Sequence, residues 1–228
     1  MLIFQFIKWV LIDIYRSFKE KDKEPHIYGI EGFFGLPGHG KTMSLVYRAE
    51  QYRKKYGDKI YIASNFGYKD EDFAITCWQD LQKDYDRSVI FLYDEIQNEF
   101  NSRDYKKFPV ALLTLLTQNR KGKGKKILYT AQRYGRVDKV FRELTNISWN
   151  CHTFLGRLTI CSGYNSQDYE EYVNQTNSVF RNKIKPMQKM SFVQDDRIRQ
   201  CYDSFKQLES ARSKEYMDRD EYNKVIEN

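Results

Sequence analysis

The stretch Gly35-Leu-Pro-Gly-His-Gly-Lys-Thr42 constrains this chain more than any other. It satisfies the pattern G-x4-G-K-[S/T]. It also stands where that pattern has to stand, after the short apolar run Ile27 to Phe34 and at the start of a helical stretch from Lys41 to about Tyr56. Glycines let the backbone turn without a Cβ clash, so that successive N–H groups can point inward at phosphate oxygens. The helix that follows adds the positive end of its dipole. Lys41 supplies a point charge for β- and γ-phosphates, and the Thr42 hydroxyl is a ligand for Mg²⁺. The nucleotide-binding candidates are therefore Gly35, Gly38, His39, Gly40, Lys41 and Thr42, with ATP and Mg²⁺ as the expected cofactors.

A second element fits the first. Val89-Ile-Phe-Leu-Tyr-Asp94-Glu95 reads as an apolar strand ending in two adjacent carboxylates, which at a strand's C-terminal edge project toward the ligand crevice of an open α/β sheet. Asp94 is placed to hold the metal's ligand shell, and Glu95 to orient and deprotonate an attacking water. A hydrolytic base of this kind separates an ATPase from a simple phosphoryl-transfer kinase. A third strand, Ile127 to Ala131, continues into Gln132 and Arg133. If it lies between the other two, Thr130 or Gln132 reaches the γ-phosphate region.

Around these elements, strand and helix alternate from His26 to about Leu144, the rhythm of a mainly parallel sheet covered on both faces. Lys59 to Ala63 reads as a strand, Trp78 to Tyr85 as a short helix, and Pro109 to Asn119 and Val137 to Leu144 as helices. Ile147–Leu155 and Arg157–Gly163 read as a hairpin turning at Gly156. The pattern gives no assignment for 165–195, and 197–226 carries weak helical periodicity under heavy charge. Three regions result: an N-terminal amphipathic helix and linker (1–25), an α/β core (26–165) and a charged, partly helical C-terminal appendage (166–228). The helix at the N-terminus has a greasy but imperfect amphipathic pattern. It suits packing on the core or on a neighbouring subunit, or lying in a membrane interface.

Composition narrows the classes. Of 228 residues, 41% are hydrophobic and 16% aromatic, too apolar for a disordered chain, and no run approaches the ~18–20 apolar residues of a spanning helix. The net charge is +7, and because residues 195–228 carry 9 acidic and 7 basic side chains, the remainder carries +9. A basic body suits an anionic partner. Asn119-Arg-Lys-Gly-Lys-Gly-Lys-Lys126 has five cations in eight residues; it can track a phosphate backbone without reading bases, or simply be a solvated loop. Arg181-Asn-Lys-Ile-Lys185 is a weaker candidate, and no aromatic–basic RNA-binding signature is present. Four cysteines without C-x-x-C spacing and three histidines give no zinc pattern and read as reduced thiols.

Taken in order, these elements resemble the FtsK–HerA branch of P-loop ATPases, and within it the Zot-domain proteins of filamentous phages and small viral genome-packaging ATPases. The likeness covers roughly 26–150. It rests on the phosphate loop, Ile60-Tyr-Ile-Ala-Ser-Asn65, Tyr93-Asp-Glu-Ile96, Asn101-Ser-Arg103, Gln118-Asn-Arg120 and Ala131-Gln-Arg-Tyr134. It implies a RecA-like core assembled as a homo-oligomeric ring, usually a hexamer, with ATP between subunits and DNA bound without sequence preference. Gln132 then matches the family's sensor, and Arg120 or Arg133 is the arginine presented to a neighbour's ATP. In the family the sensor strand usually ends Thr-Gln. Here Ala131 separates Thr130 from Gln132, which leaves the sensor open between them. Zot proteins commonly carry a spanning helix after the ATPase domain, and its absence from this sequence favours the packaging-type relatives or a soluble variant.

The expected activity is ATP-driven nucleic-acid translocation for viral genome packaging. The alternatives are a membrane-associated, Zot-like assembly or secretion ATPase, a nucleotide-gated assembly protein and, least favoured, a small-molecule kinase. The expected location is the host cytoplasm, the virion, or the inner face of a membrane. A capsid or membrane-complex partner would be reached through residues 1–16.

Overall fold

The structure, a computed structural model, describes residues 2–19, 24–98, 114, 116–175 and 184–202. Asn101 to Arg103, most of the helix expected from Pro109, Arg181 to Lys183 and the tail beyond Tyr202 lie outside the described residues.

Eight strands form one sheet: β1 (Gly29–Phe34), β2 (Ile60–Ser64), β3 (Phe73–Ala74), β4 (Ser88–Tyr93), β5 (Lys125–Ala131), β6 (Ile147–Phe154), β7 (Leu158–Asn165) and β8 (Gln188–Val193). Their spatial order is β3-β2-β4-β5-β1-β6-β7-β8. The strands from β3 to β6 run parallel; β7 and β8 join antiparallel. β5 therefore lies between the phosphate-loop strand β1 and the Asp94 strand β4, the arrangement of a RecA-like P-loop fold.

The central strands β1 and β4 are buried along their whole length, as mostly apolar runs in a doubly covered sheet are. The α2 helix (Lys41–Tyr56) lies on one face, over Phe33, Ile90, Leu92 and Leu128. On the other face Phe34, Phe91, Tyr129, Tyr134 and Phe141 form a second layer. Phe141 comes from α3 (Lys139–Glu143), and Tyr169, from α4 (Ser166–Asn174), joins the same layer. The expected helix after Trp78 is a 3-10 segment, Trp78–Gln82, held by Asp80, whose carboxylate accepts from the Thr76 and Cys77 N–H groups.

The β6–β7 hairpin turns through Leu155 (φ 47°) and Gly156 (φ 67°), two left-handed residues in succession, which match the twist of the strands they join. Cys151 and Cys161 face each other across it with their sulfurs 3.3 Å apart, both free thiols. Beyond the hairpin, the segment left unassigned by sequence contributes α4 and β8. A short helix, α5 (Asp196–Arg199), then buries Ile198 against the α2 layer.

The N-terminal helix α1 (Leu2–Lys19) does not bury its apolar side chains in this core: Leu2, Phe4, Phe6, Trp9 and Leu11 are all more than half exposed. Packing on the chain's own core is thereby overturned; a neighbouring subunit or a membrane interface remains. No helix among the described residues is long and apolar enough to cross a membrane.

Candidate active site

The site grows out of the two-residue period of β4 and β5. Ile90 and Leu92 point to the α2 layer, and Asp94 continues their face past the end of β4. Leu128 does the same in β5, followed by Thr130 and Gln132. The carboxylates and the polar strand end therefore meet under the N-terminus of α2.

There the Thr42 hydroxyl donates to Asp94 Oδ1 at 2.9 Å. Thr130, fully buried, donates its hydroxyl to the same oxygen and accepts from the Glu95 N–H at 2.9 Å. Asn65, at the end of β2, brackets the Asp94 backbone: its Nδ2 donates to the Asp94 carbonyl at 3.1 Å, and its Oδ1 accepts from the Asp94 N–H at 2.8 Å. Glu95 has a left-handed backbone (φ 51°), a conformation that costs a non-glycine residue about 1–3 kcal/mol and must be held by its surroundings. Gln132 Nε2 donates to Glu95 Oε1 at 2.8 Å, and Asn98 Nδ2 to Oε2 at 3.4 Å. Thr130 is turned inward onto the Asp94 carboxylate and the Glu95 N–H, while the Gln132 side chain borders the crevice.

The loop fits phosphate. Gly38 has φ 79°, and a Cβ there would meet nothing within 4 Å, so the space beside it is open. Gly40, the residue before α2, has φ 75°; a Cβ there would stand 2.5 Å from Thr153 Oγ1. Lys41 reaches back across the loop and donates to the Leu36 carbonyl at 3.1 Å. Thr42 Oγ1 and Asp94 Oδ1 are hard oxygen donors side by side, the type Mg²⁺ takes. Gly35 and His39 border a cleft of about 800 Å³ that also receives Gln132, Arg133, Arg136 and His152, with the two imidazole rings 4.6 Å apart.

Two residues that sequence reasoning did not place here join the site. Arg136 donates to Gln132 Oε1 at 3.5 Å. Tyr202, packed edge-on against Phe66 at 5.7 Å and bridged to Tyr68, brings its hydroxyl to Thr42. Burial and the adjacent Asp94 carboxylate raise its phenol, while the Thr42 hydrogen bond acts the other way. The weak helical periodicity over 197–226 includes Tyr202 but gives no sign that it reaches the phosphate loop.

The arginine candidates part company. Arg133 is exposed on the rim of the cleft. Arg120 is exposed in the turn before β5, at the opposite edge of the sheet, seven strand residues or roughly 23 Å from the phosphate loop, and cannot reach its own subunit's phosphates.

The basic stretch also divides. Lys126 is not available to a nucleic-acid backbone: its Nζ is buried 2.7 Å from Glu31 Oε1. Lys125 donates to the Leu81 and Lys83 carbonyls at 2.7 and 2.8 Å, and burial lowers its ammonium pKa. Lys123 pairs with Glu24 on the surface, and Lys121 is exposed. The alternation of β5 turns Lys126 onto the α2 face, which the string of cations concealed. Around Glu31, Arg48 lies at 3.5 Å and the Trp149 indole donates at 2.9 Å. Burial alone would raise the Glu31 carboxyl, but Lys126 and Arg48 outweigh it and hold it below its ordinary value.

No protein-family model matches the chain, and no curated protein matches it. Among solved structures it is similar to the genome packaging NTPase B204 from Sulfolobus turreted icosahedral virus 2. With ATP-γ-S bound, the likeness has 16% identity and a TM-score of 0.43, over 56% of this chain and 76% of that one. With AMPPCP bound, it has 12% identity and a TM-score of 0.45, over 61% and 93%. The chain is likewise similar to the N-terminal domain of zonular occludens toxin from Neisseria meningitidis, at 16% identity and a TM-score of 0.49, over 78% of this chain and all of that one.

Proposed function

We propose that the protein hydrolyses ATP and couples hydrolysis to the movement of DNA. The observation that carries the first half is the connected set Thr42–Asp94–Thr130–Glu95–Gln132, which joins a phosphate loop to a base. Lys41 and the loop N–H groups hold the β- and γ-phosphates, and Thr42 with Asp94 holds Mg²⁺, which neutralises charge on the phosphate oxygens. Glu95 accepts the proton of the attacking water. Gln132, bonded to Glu95, reports the state of the γ-phosphate to the rest of the strand. Arg133 or Arg120 serves a neighbour's nucleotide in a ring, hexameric in this reading.

The second half rests on the basic body of the chain and on the exposed cations of the 119–126 turn, chiefly Lys121. Measuring ATP turnover with and without DNA tests it: stimulation supports a translocase, and turnover indifferent to DNA rejects it. Packaging in the cytoplasm of an infected cell is the favoured setting. The exposed apolar side chains of α1 favour a second reading, a phage assembly or secretion ATPase held at the inner face of a membrane. Liposome co-sedimentation with and without residues 1–16 decides between them.

A further inference from the structure

The C-terminal half of α2 carries a second site, at the opposite end of the helix from the phosphates. Arg48, Tyr52, Lys55 and Tyr56 follow the i, i+4, i+7, i+8 spacing of one helical face. With Tyr28 and Lys126 they line a cavity of about 450 Å³. Its walls are aromatic and cationic together. The Arg48 guanidinium lies 5.2 Å from the Tyr52 ring centre, Lys126 Nζ lies 5.8 Å from the same ring, and Lys55 Nζ lies 4.8 Å from that of Tyr56. The tyrosines at positions 52 and 56 are nearly parallel, at 14°.

The charges do not balance. Glu31 is the carboxylate that Lys126 and Arg48 share, and Lys55 adds a third cation at the rim. A part-buried excess of positive charge is costly unless an anion offsets it. Tyrosine faces beside cations suit an anion that also carries a flat ring.

We infer that this cavity binds single-stranded nucleic acid, with a base stacked on the Tyr52–Tyr56 wall and phosphate near Arg48 and Lys55. The basic turn packs beside it: Gly124 lies against the Ile27 backbone, so closely that a Cβ would stand 2.6 Å from the Ile27 carbonyl oxygen, and Ile27 borders the cavity. In a duplex the bases are stacked and paired within the helix and cannot enter such a cavity; in a single strand they can. The inference goes beyond the proposed ATPase reading and names the strandedness that reading leaves open.

Fluorescence anisotropy of the full chain with labelled oligo(dT) tests it. Tyr52→Leu/Tyr56→Leu should weaken binding roughly five- to hundredfold, the range for loss of base–aromatic stacking. Lys55→Gln/Tyr56→Leu, confined to less buried positions, should weaken it in the same direction if the first pair disturbs folding. Wild-type affinity in both variants overturns the inference. So does a duplex of equal length binding the wild type as tightly, the failure of oligo(dT) to bind it, or displacement of oligo(dT) by low concentrations of inorganic phosphate. A chain that does not hydrolyse ATP yet loses oligo(dT) in these variants defeats the proposed function and leaves this site standing.

Discussion

Gln132 Nε2 donates to Glu95 Oε1 at 2.8 Å, so the side chain just past the end of β5 holds the Glu95 carboxylate. Removing the base while keeping the hydrogen-bonding shape separates binding from chemistry. Glu95→Gln should retain ATP and lose on the order of 10²-fold or more in turnover. Lys41→Ala should instead lose nucleotide affinity. Equilibrium binding of a fluorescent ATP analogue beside steady-state hydrolysis measures both, and near-normal turnover in Glu95→Gln removes Glu95 from the mechanism.

Thr130→Val should act through Asp94 and Glu95 rather than by touching nucleotide. It takes the hydroxyl from Asp94 Oδ1 and the acceptor from the Glu95 N–H, leaving a buried donor unmet at a cost of roughly 1–3 kcal/mol. The expected result is a melting temperature lower by about 2–12 °C and a fall in kcat larger than any change in KM. Thr130→Ser should restore both, and failure of Ser to restore them would point to packing instead.

If Arg133 acts on a neighbour's nucleotide, Arg133→Ala and Lys41→Ala subunits should each be inactive alone and regain activity when mixed. Such an arginine is worth about 10³–10⁵ in rate where it operates. The same mixing with Arg120→Ala tests the arginine at the far edge. Co-assembly without recovery excludes the arginine concerned, as does full activity of its single variant.

Glu31 gives a pH-dependent prediction. Lys126 and Arg48 hold its carboxyl below the ordinary value of 4.5 against the opposing effect of burial. The stability it contributes is therefore complete above that unfolded value and lost as pH falls through the lower, folded one. Glu31→Gln strands the buried Lys126 and the part-buried Arg48, which should cost about 3–5 kcal/mol, or ~6–20 °C in melting temperature, at neutral pH. Thermal melts from pH 7 downward should show the gap between wild type and variant closing in acid; a gap constant with pH would contradict the assignment.

The phosphate loop and the Asp94–Glu95 strand were legible because each chemistry needs particular residue types at fixed spacing. The interleaving of β5 was legible only as a condition, since strand order is set by packing between distant segments. Lys126 was misread for a related reason: a run of cations says nothing about which of them a strand's alternation turns inward. The Arg48–Tyr52–Lys55–Tyr56 face escaped notice because its aromatic and basic members are interleaved along a helix and completed by Tyr28, a residue from another segment. Tyr202 sits in a stretch of weak helical periodicity, which says nothing of its arrival at Thr42.

The facing thiols of β6 and β7 give the sheet its own stopwatch. Cys77 is exposed and meets a thiol reagent at once, while the Cys201 thiol, pushed up to about 11, meets it slowly. Cys151 and Cys161 are shut away at 1% and 0% exposure, and burial pushes the Cys151 thiol up, so a reagent reaches them only when the ribbon parts. Cys161 is also hydrogen-bonded at 3.1 Å to Ser44, two residues along α2 from Thr42. Their labelling rate therefore times how often the floor beneath the phosphate loop comes apart, and a nucleotide that grips the loop should slow the clock.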